Sequence, residues 1–109
     1  MRSLCGLAVT LAERGQAEEA ARLLERADRI SAAAHPEDHP ERGRVLAARG
    51  RVHFSAGHHE EARQALQSAH AIYLRAEGPD HPHTRDAKAG LDEIAAKSSA
   101  GAIRADARE

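Results

Sequence analysis

The sequence predicts an all-α fold built from tandem pairs of antiparallel helices, and three observations indicate it. The 109-residue chain matches itself when it is shifted by forty-two positions. Its apolar residues recur at spacings of three and four, which is the period of a helix. Alanine is the commonest apolar residue, and the chain has one Phe, one Tyr and no Trp. Helices this poor in bulky side chains must pack by close approach rather than around an aromatic core.

The internal repeat includes apolar positions and turn positions alike. The matching pairs are Leu4 and Leu46, Gly15 and Gly57, Glu18–Ala20 and Glu60–Ala62, Leu24 and Leu66, Ala27 and Ala69, Ile30 and Ile72, and Asp38–Pro40 and Asp80–Pro82. Matches of this regularity indicate two units of one supersecondary design.

The first unit is predicted to contain two helices. Leu4, Leu7, Ala8 and Leu11 mark the first helix, and Gly15 can close it in the left-handed conformation. The second helix is expected from Ala17 to Ala34. Its apolar stripe comprises Ala20, Leu23, Leu24, Ala27, Ile30 and Ala34.

The second unit repeats this plan, with its break at Gly57, and a third helix of the first type begins near Pro82. Leu91, Ile94 and Ala95 give that last helix its apolar face. We therefore expect a helical repeat domain over residues 1–97, with units of about 1–41 and 42–82 and a final helix over 83–97. Residues 98–109 are expected to form a weakly ordered tail.

The segment GPDHPHT at 78–84 reads as the boundary between helices. Gly78 can cap the preceding helix, and Pro79 cannot continue it. Asp80 or His81 then takes the N-cap position, and Pro82 suits the first helical position, where its missing N–H costs nothing.

Alanine recurs at four positions of the two longer helices, Ala20, Ala27, Ala62 and Ala69. A side chain larger than methyl would separate helices at their closest crossing and open voids around it. These four residues are therefore predicted to lie where paired helices cross.

Composition and charge disfavour several classes of function. With 16 basic and 17 acidic residues the net charge is −1, without the basic excess of a nucleic-acid binder. No apolar run approaches the roughly 18 residues of a membrane span, and the apolar start of the chain is too short for a secretory signal. A single cysteine forms no internal disulfide, so we expect a soluble, cytoplasmic protein.

The eight histidines raise the question of a metal site. They include the pairs His35/His39, His58/His59 and His81/His83, but the pairs fall in different loops, and their spacing brings no three or four ligands together. We predict no metal site and no cofactor. No nucleophile motif or phosphate-binding loop is present, so no catalytic residue is expected.

Several residues and short motifs together resemble the pattern of a known repeat family. They are Leu4, Leu7, Ala8, RGQAEEA at 14–20, Leu46, Gly50, AGHHEEA at 56–62 and EGPDHPHT at 77–84. With them the chain resembles the tetratricopeptide repeat family over about residues 3–97, in the 42-residue form found in kinesin light chains. The resemblance implies a right-handed stack of helix pairs without catalytic residues. It also implies that the first helices line a concave groove for a peptide.

Two departures from the family pattern affect this groove. Family members often place an Asn in the first helix to hold a partner's backbone, but the matching positions here are Cys5, Ala47 and Ala89, and the chain has no Asn. Arg49 stands where Leu7 and Leu91 supply an apolar side chain, so it must extend to solvent or pair with an acid.

The leading hypothesis is a protein-interaction module whose groove is formed by the first helices. The predicted groove residues are Arg2, Cys5, Val9, Ala12, Glu13, Arg44, Ala47, Arg51, Phe54, Ser55, Asp86, Ala89, Glu93 and Lys97. Arg2, Arg44 and Arg51 would make one end basic, and Phe54 would be an aromatic anchor. This pattern favours a partner with acidic residues around an apolar one.

A second hypothesis remains open, that of a structural piece that self-associates or belongs to a longer array. Two and a half units are few for a solenoid. Apolar end faces around Leu4, Val9, Leu91 and Ile94 could then be buried by another chain.

Overall fold

The computed structural model describes the backbone of residues 4–107 and the side chains of residues 4–97. Five helices follow one another: α1 (Leu4–Glu13), α2 (Ala17–Ala34), α3 (Pro40–Ser55), α4 (His59–Glu77) and α5 (Pro82–Ala107). No strand occurs in this described part of the chain, so the prediction of an all-α helical repeat fold is confirmed.

Three of the helix limits fall where the sequence placed them. α2 spans Ala17–Ala34, and α5 begins at Pro82. At its other end α5 continues past residue 97 to Ala107, so the backbone is helical in most of the segment for which the sequence predicted a weakly ordered tail. The division into a repeat domain and a tail stays a prediction.

The helices pack as two hairpins followed by a single helix. α1 packs on α2, α3 on α4, and α5 on α4. The first helices also contact each other, α1 with α3 and α3 with α5, and α2 contacts α3. The middle helix α3 therefore touches all four of the others and carries the connection between the units.

Both hairpin turns close in the same way. Gly57 adopts φ +85°, its N–H donates to the Phe54 carbonyl (3.1 Å), and the His58 N–H donates to the His53 carbonyl (2.8 Å). This pair of bonds is a Schellman motif, which satisfies carbonyls at the end of α3. Gly15 has the same φ and ends α1 with the equivalent bonds.

Histidine, rather than aspartate, caps the N-termini of α3 and α5, the helices that come directly after the first and second hairpins. His39 Nδ1 accepts the backbone N–H of Glu41 and His81 Nδ1 accepts that of His83, each at 3.1 Å. The sequence had left Asp80 and His81 as alternatives at the second of these positions. Thr84, which is buried, adds a bond from its hydroxyl to the Gly78 carbonyl (2.7 Å).

The predicted small residues do lie inside the stack. Ala20, Ala62 and Ala69 are fully buried, and Ala27 nearly so. Gly50 lies at an even closer approach, because a Cβ built there would stand 2.7 Å from Leu66 Cγ. The close contact between α3 and α4 therefore depends on residues with little or no side chain.

The buried stripe of α2 differs at its end from the predicted one. Ala20, Leu24 and Ala27 are buried, but the next buried residue is Ser31, while Ile30 is 55% exposed and Ala34 is also exposed. Ile72, the counterpart of Ile30, is half-buried: it lies against Gly43 of α3 and lines a cavity that residues of the first unit also line. Ile30 has no equivalent neighbour among the described residues.

Arg49 pairs with an acid of the preceding helix. Its Nη2 lies 4.0 Å from Asp28 Oδ2, and both side chains are about one-third exposed. This contact links α2 to α3 and accounts for a cation at a position that was expected to be apolar. Its energetic value is small, since partly exposed ion pairs contribute about 0–1 kcal/mol.

Equivalent positions near the C-terminal ends of α2 and α4 carry different side chains. In the second unit Tyr73 is 4% exposed and packs its ring against Gly43 and His83. Its counterpart Ser31 is buried beside a cavity of about 160 Å³, and among the described residues its hydroxyl has no hydrogen-bond partner. In the part of the chain that the structure describes, this position is therefore better filled in the second unit.

The crossing of α3 and α4 gives a first prediction. Ala62→Leu should lower the free energy of unfolding by about 1–3 kcal/mol, because a fully buried methyl leaves no room for three more carbons. Ala76→Leu, on an exposed position of the same helix, is the control and should change stability little. Urea denaturation measures both, and equal midpoints for Ala62→Leu and wild type would contradict the packing argument.

The single tyrosine gives a second prediction. Burial raises the pKa of Tyr73 to about 12, above its ordinary value of about 10. Because the folded pKa is the higher one, this contribution to stability is complete below pH 10 and is lost as the pH rises toward 12. The loss amounts to about 2–3 kcal/mol.

The tyrosinate absorbance reports this titration directly, since the chain has no other tyrosine and no tryptophan. We expect a midpoint near 12 in the folded protein and near 10 in concentrated urea. A folded-state midpoint equal to the urea value would show that the ring is not buried.

Candidate functional site

A cleft of about 210 Å³ lies on the side of the stack formed by α1, α3 and α5. The residues that line it are Val9, Glu13, Arg51, Phe54, Ser55, Leu66, Gly90, Glu93 and Ile94. From α4, the second helix of its hairpin, the lining includes only the buried Leu66, at the bottom of the cleft. The cleft is therefore largely a product of the first helices packing side by side.

The floor of the cleft is apolar and tightly packed. Phe54 is half-buried against a cluster that contains Ala62, Leu66 and Ile94. Gly90 lets α5 approach, because a Cβ there would stand 3.0 Å from Leu66 Cδ1. The Phe54 ring thus rests on a fixed base and presents one part of its surface to the cleft.

The rim of the cleft carries charges of both signs. Glu13, Arg51, Glu93 and Lys97 are all exposed, and the Lys97 Nζ lies 6.0 Å from the centroid of the Phe54 ring. Among residues 4–97, Arg51 forms no ion pair with an acidic side chain. Its guanidinium, with donors arranged for carboxylate binding, is available to a ligand.

The structure brings together about half of the predicted groove residues. Val9, Glu13, Arg51, Phe54, Ser55 and Glu93 line the cleft, and Lys97 reaches over Phe54. Asp86 and Ala89 are exposed on α5 without lining the cleft, and Ala47 is half-buried against the core. Arg2 lies outside the described residues.

Three further groove predictions are placed elsewhere. Cys5 and Ala12 are buried in the core between α1, α2 and α3. Arg44 lies 3.7 Å from Glu41 and lines the separate cavity beside Ser31. Of the three arginines expected to form a basic end, Arg51 therefore lines this cleft and Arg44 does not.

The sequence did not single out Leu66, Gly90 and Ile94 as residues of the site. Leu66 and Ile94 were assigned to apolar helix faces, and Gly90 was not assigned at all. The one available signal was the small residue Gly90 next to Leu91, which marks a close approach of α5.

The buried cysteine is a packing residue. Burial raises the pKa of Cys5, and the nearby Arg44 offsets part of that shift. A thiol with a raised pKa stays protonated at neutral pH and is a poor nucleophile. Cys5, predicted to line the groove, therefore belongs to the core instead.

The first of two histidine groups lies at the α4–α5 junction. Glu77 contacts His81 Nε2 through Oε2 (3.1 Å) and His83 Nδ1 through Oε1 (2.9 Å). Because His81 Nδ1 accepts a backbone N–H, its hydrogen lies on Nε2 and is donated to the carboxylate. The group therefore works as a hydrogen-bonded clasp between the two helices.

The second group lies at the α3–α4 turn. His53, His58 and Glu61 place one ligand-type atom each within 4.8 Å of one another. Burial lowers the pKa of His53, which keeps its ring neutral at neutral pH. The histidine pairs named in the sequence analysis lie at separate junctions, as predicted. Each of the two groups forms because other residues join a histidine of a pair: His53 and Glu61 join His58, and Glu77 joins His81 and His83. The spacing of the pairs did not include these three residues.

Over the residues that the structure describes, none of the helices combines the length and the apolar character needed to cross a lipid bilayer.

The fold and the cleft define a helical repeat protein, with hairpins stacked so that their first helices share one face. The sequence model of the tetratricopeptide repeat family matches residues 1–75. The chain belongs to the tetratricopeptide repeat family, whose members are generally non-catalytic protein-interaction modules. Comparison with curated proteins finds no match.

Proposed function

We propose that the protein is a non-catalytic interaction module that binds a peptide segment of a partner protein in the cleft of α1, α3 and α5. The observation that carries this proposal is the convergence of α1, α3 and α5 on the half-buried ring of Phe54. A partly exposed aromatic ring on a rigid base is the usual centre of an interface, because an apolar group that covers it is fully desolvated.

The charges around Phe54 indicate the chemistry of the partner. Arg51 and Lys97 favour a carboxylate on either side of an apolar anchor residue. Glu13 and Glu93 lie in the same cleft and disfavour a segment that is acidic throughout. The proposed ligand is thus an amphipathic segment with one apolar anchor and a few acidic residues, held by a scaffold protein.

Two finer assignments accompany this proposal. The forty-two-residue offset and the shared Asp-His-Pro boundaries support the kinesin-light-chain-like form of the repeat. A cytoplasmic location fits a chain whose one thiol is buried and needs no oxidising compartment.

Peptide selection tests the cleft assignment. A displayed library of random peptides is selected on the wild-type chain, and the enriched peptides are measured by fluorescence anisotropy. We expect sequences with an apolar residue flanked by acids. Arg51→Glu should weaken their binding by about tenfold or more, because it replaces attraction by repulsion next to the anchor.

The matched control is Arg75→Glu, which makes the same change on α4 in a depression on another face. It should leave the affinity unchanged. An equal loss of affinity in both variants would mean that the change in net charge, and not the cleft, causes the effect. Unchanged affinity in Arg51→Glu would show that the peptides do not bind in the cleft.

A second candidate function is self-association, and the exposure of Leu7 and Ile30 favours it. These side chains are 39% and 55% exposed. Their counterparts Arg49 and Ile72 are half-buried beside the first unit, so Leu7 and Ile30 lie on the face where another unit would stack. Ile94, which the sequence placed on an end face, is instead buried at 2% exposure.

Light scattering at several concentrations tests this second candidate. Self-association predicts a mass that rises with concentration and falls to that of a monomer in Ile30→Glu, since the charge would be buried unpaired in the contact. Leu74→Glu, at another exposed leucine between α4 and α5, should associate like wild type. A monomeric wild type at every concentration eliminates this function.

A further inference from the structure

The turn between α3 and α4 carries a group of side chains that the interaction function does not use. His53 lies in the last turn of α3, His58 is the N-cap residue of α4, and Glu61 lies in the first turn of α4. Their ligand-type atoms lie within 4.8 Å of one another. Two imidazoles and one carboxylate form a donor set suited to a transition-metal ion such as zinc.

The backbone holds this arrangement in place. His58 follows the left-handed Gly57, and its N–H donates to the carbonyl of His53 at 2.8 Å. In a Schellman motif the residues joined by this bond also bring their side chains together, where an apolar pair is usual. Here that pair consists of two imidazole rings with centroids 5.9 Å apart.

The first unit has the same backbone without the donor set. Gln16 N donates to the Leu11 carbonyl at 2.9 Å, so Leu11 and Gln16 occupy the places of His53 and His58, and Glu19 occupies that of Glu61. The closure of the turn therefore needs no histidine. The two imidazoles are an addition to a motif that is already complete.

We propose that His53, His58 and Glu61 form a binding site for a divalent transition-metal ion, with zinc as the preferred occupant. Zinc bonds of about 2.0–2.1 Å in a tetrahedron place the ligand atoms about 3.3 Å apart. His58 Nδ1 already lies 3.8 Å from Glu61 Oε2, and both side chains are more than half exposed, so rotation of exposed side chains closes the remaining distance.

The charges around the site do not oppose a cation. His58 makes no side-chain cap bond, so its ring nitrogens are not committed to the helix end. Arg49 is the arginine whose charge acts on His53, and it is paired with Asp28. With three protein ligands, the fourth coordination position is left for water or for a side chain of a bound partner.

The clasp at the α4–α5 junction is less suitable for a metal, although it also contains two histidines and a glutamate. A metal on His81 Nε2 would move the ring hydrogen to Nδ1, which accepts the N–H of His83 and caps α5. Binding there would cost the cap and both bonds to Glu77. The α3–α4 turn carries no such cost.

Zinc titration of the untagged chain, in the presence of a reductant and a chromophoric competitor, tests the site. Three proteins are compared with wild type: His53→Leu and His58→Gln, which introduce the residues of the first unit, and the double variant His81→Gln/His83→Gln. Circular dichroism establishes that each is folded.

We expect wild type to bind one equivalent of zinc, His53→Leu and His58→Gln to bind roughly tenfold or more weakly, and the double variant to bind like wild type. Absence of binding to wild type overturns the proposal. So does binding that survives His58→Gln, or that is lost in the double variant alone, since the metal would then be held elsewhere.

Discussion

The close approach of α3 to α4 is the constraint on which the rest of the structure depends. Where they cross, Gly50 faces Leu66 at a distance that excludes even a Cβ, and it also faces the backbone of the buried Ala62. Closely packed helices gain dispersion contacts along their whole length, and a chain with few aromatic side chains depends strongly on such contacts. Because α3 contacts every other helix, its position sets the spacing of the stack. The cleft exists because α1 and α5 are held on either side of α3.

The two units share a backbone plan and differ in the side chains placed on it. Their turns close with the same left-handed glycine, and their boundaries are capped by the same histidine and proline. Within the described residues, the second unit has the buried Tyr73 and two imidazoles at its turn, while the first has a buried serine beside a cavity. The repeated residues thus form the scaffold, and the polar and ionisable side chains of interest lie at positions where the two units differ.

Histidine has three distinct physical roles in this small protein. At the unit boundaries, neutral rings accept backbone N–H groups and begin α3 and α5. At the α4–α5 junction, His81 and His83 share the carboxylate of Glu77 and join two helices. At the α3–α4 turn, the rings meet without a structural task. The number of histidines alone does not distinguish these roles; the bonds made by each ring nitrogen do.

The sequence by itself determined the helices, their order and the small residues between them, because hydrophobic period, glycine and proline act locally and the repeat supplies the same evidence twice. It also identified Arg51, Phe54 and Glu93 as cleft residues, since helical spacing fixes which side chains share a face. Only the tertiary structure decided which neighbour covers each face. It buried Cys5, left Ile30 exposed, directed Arg44 away from the cleft, and brought His53 to His58 across a turn. These outcomes depend on the packing of separate helices, and periodicity within one helix carries no information about that packing.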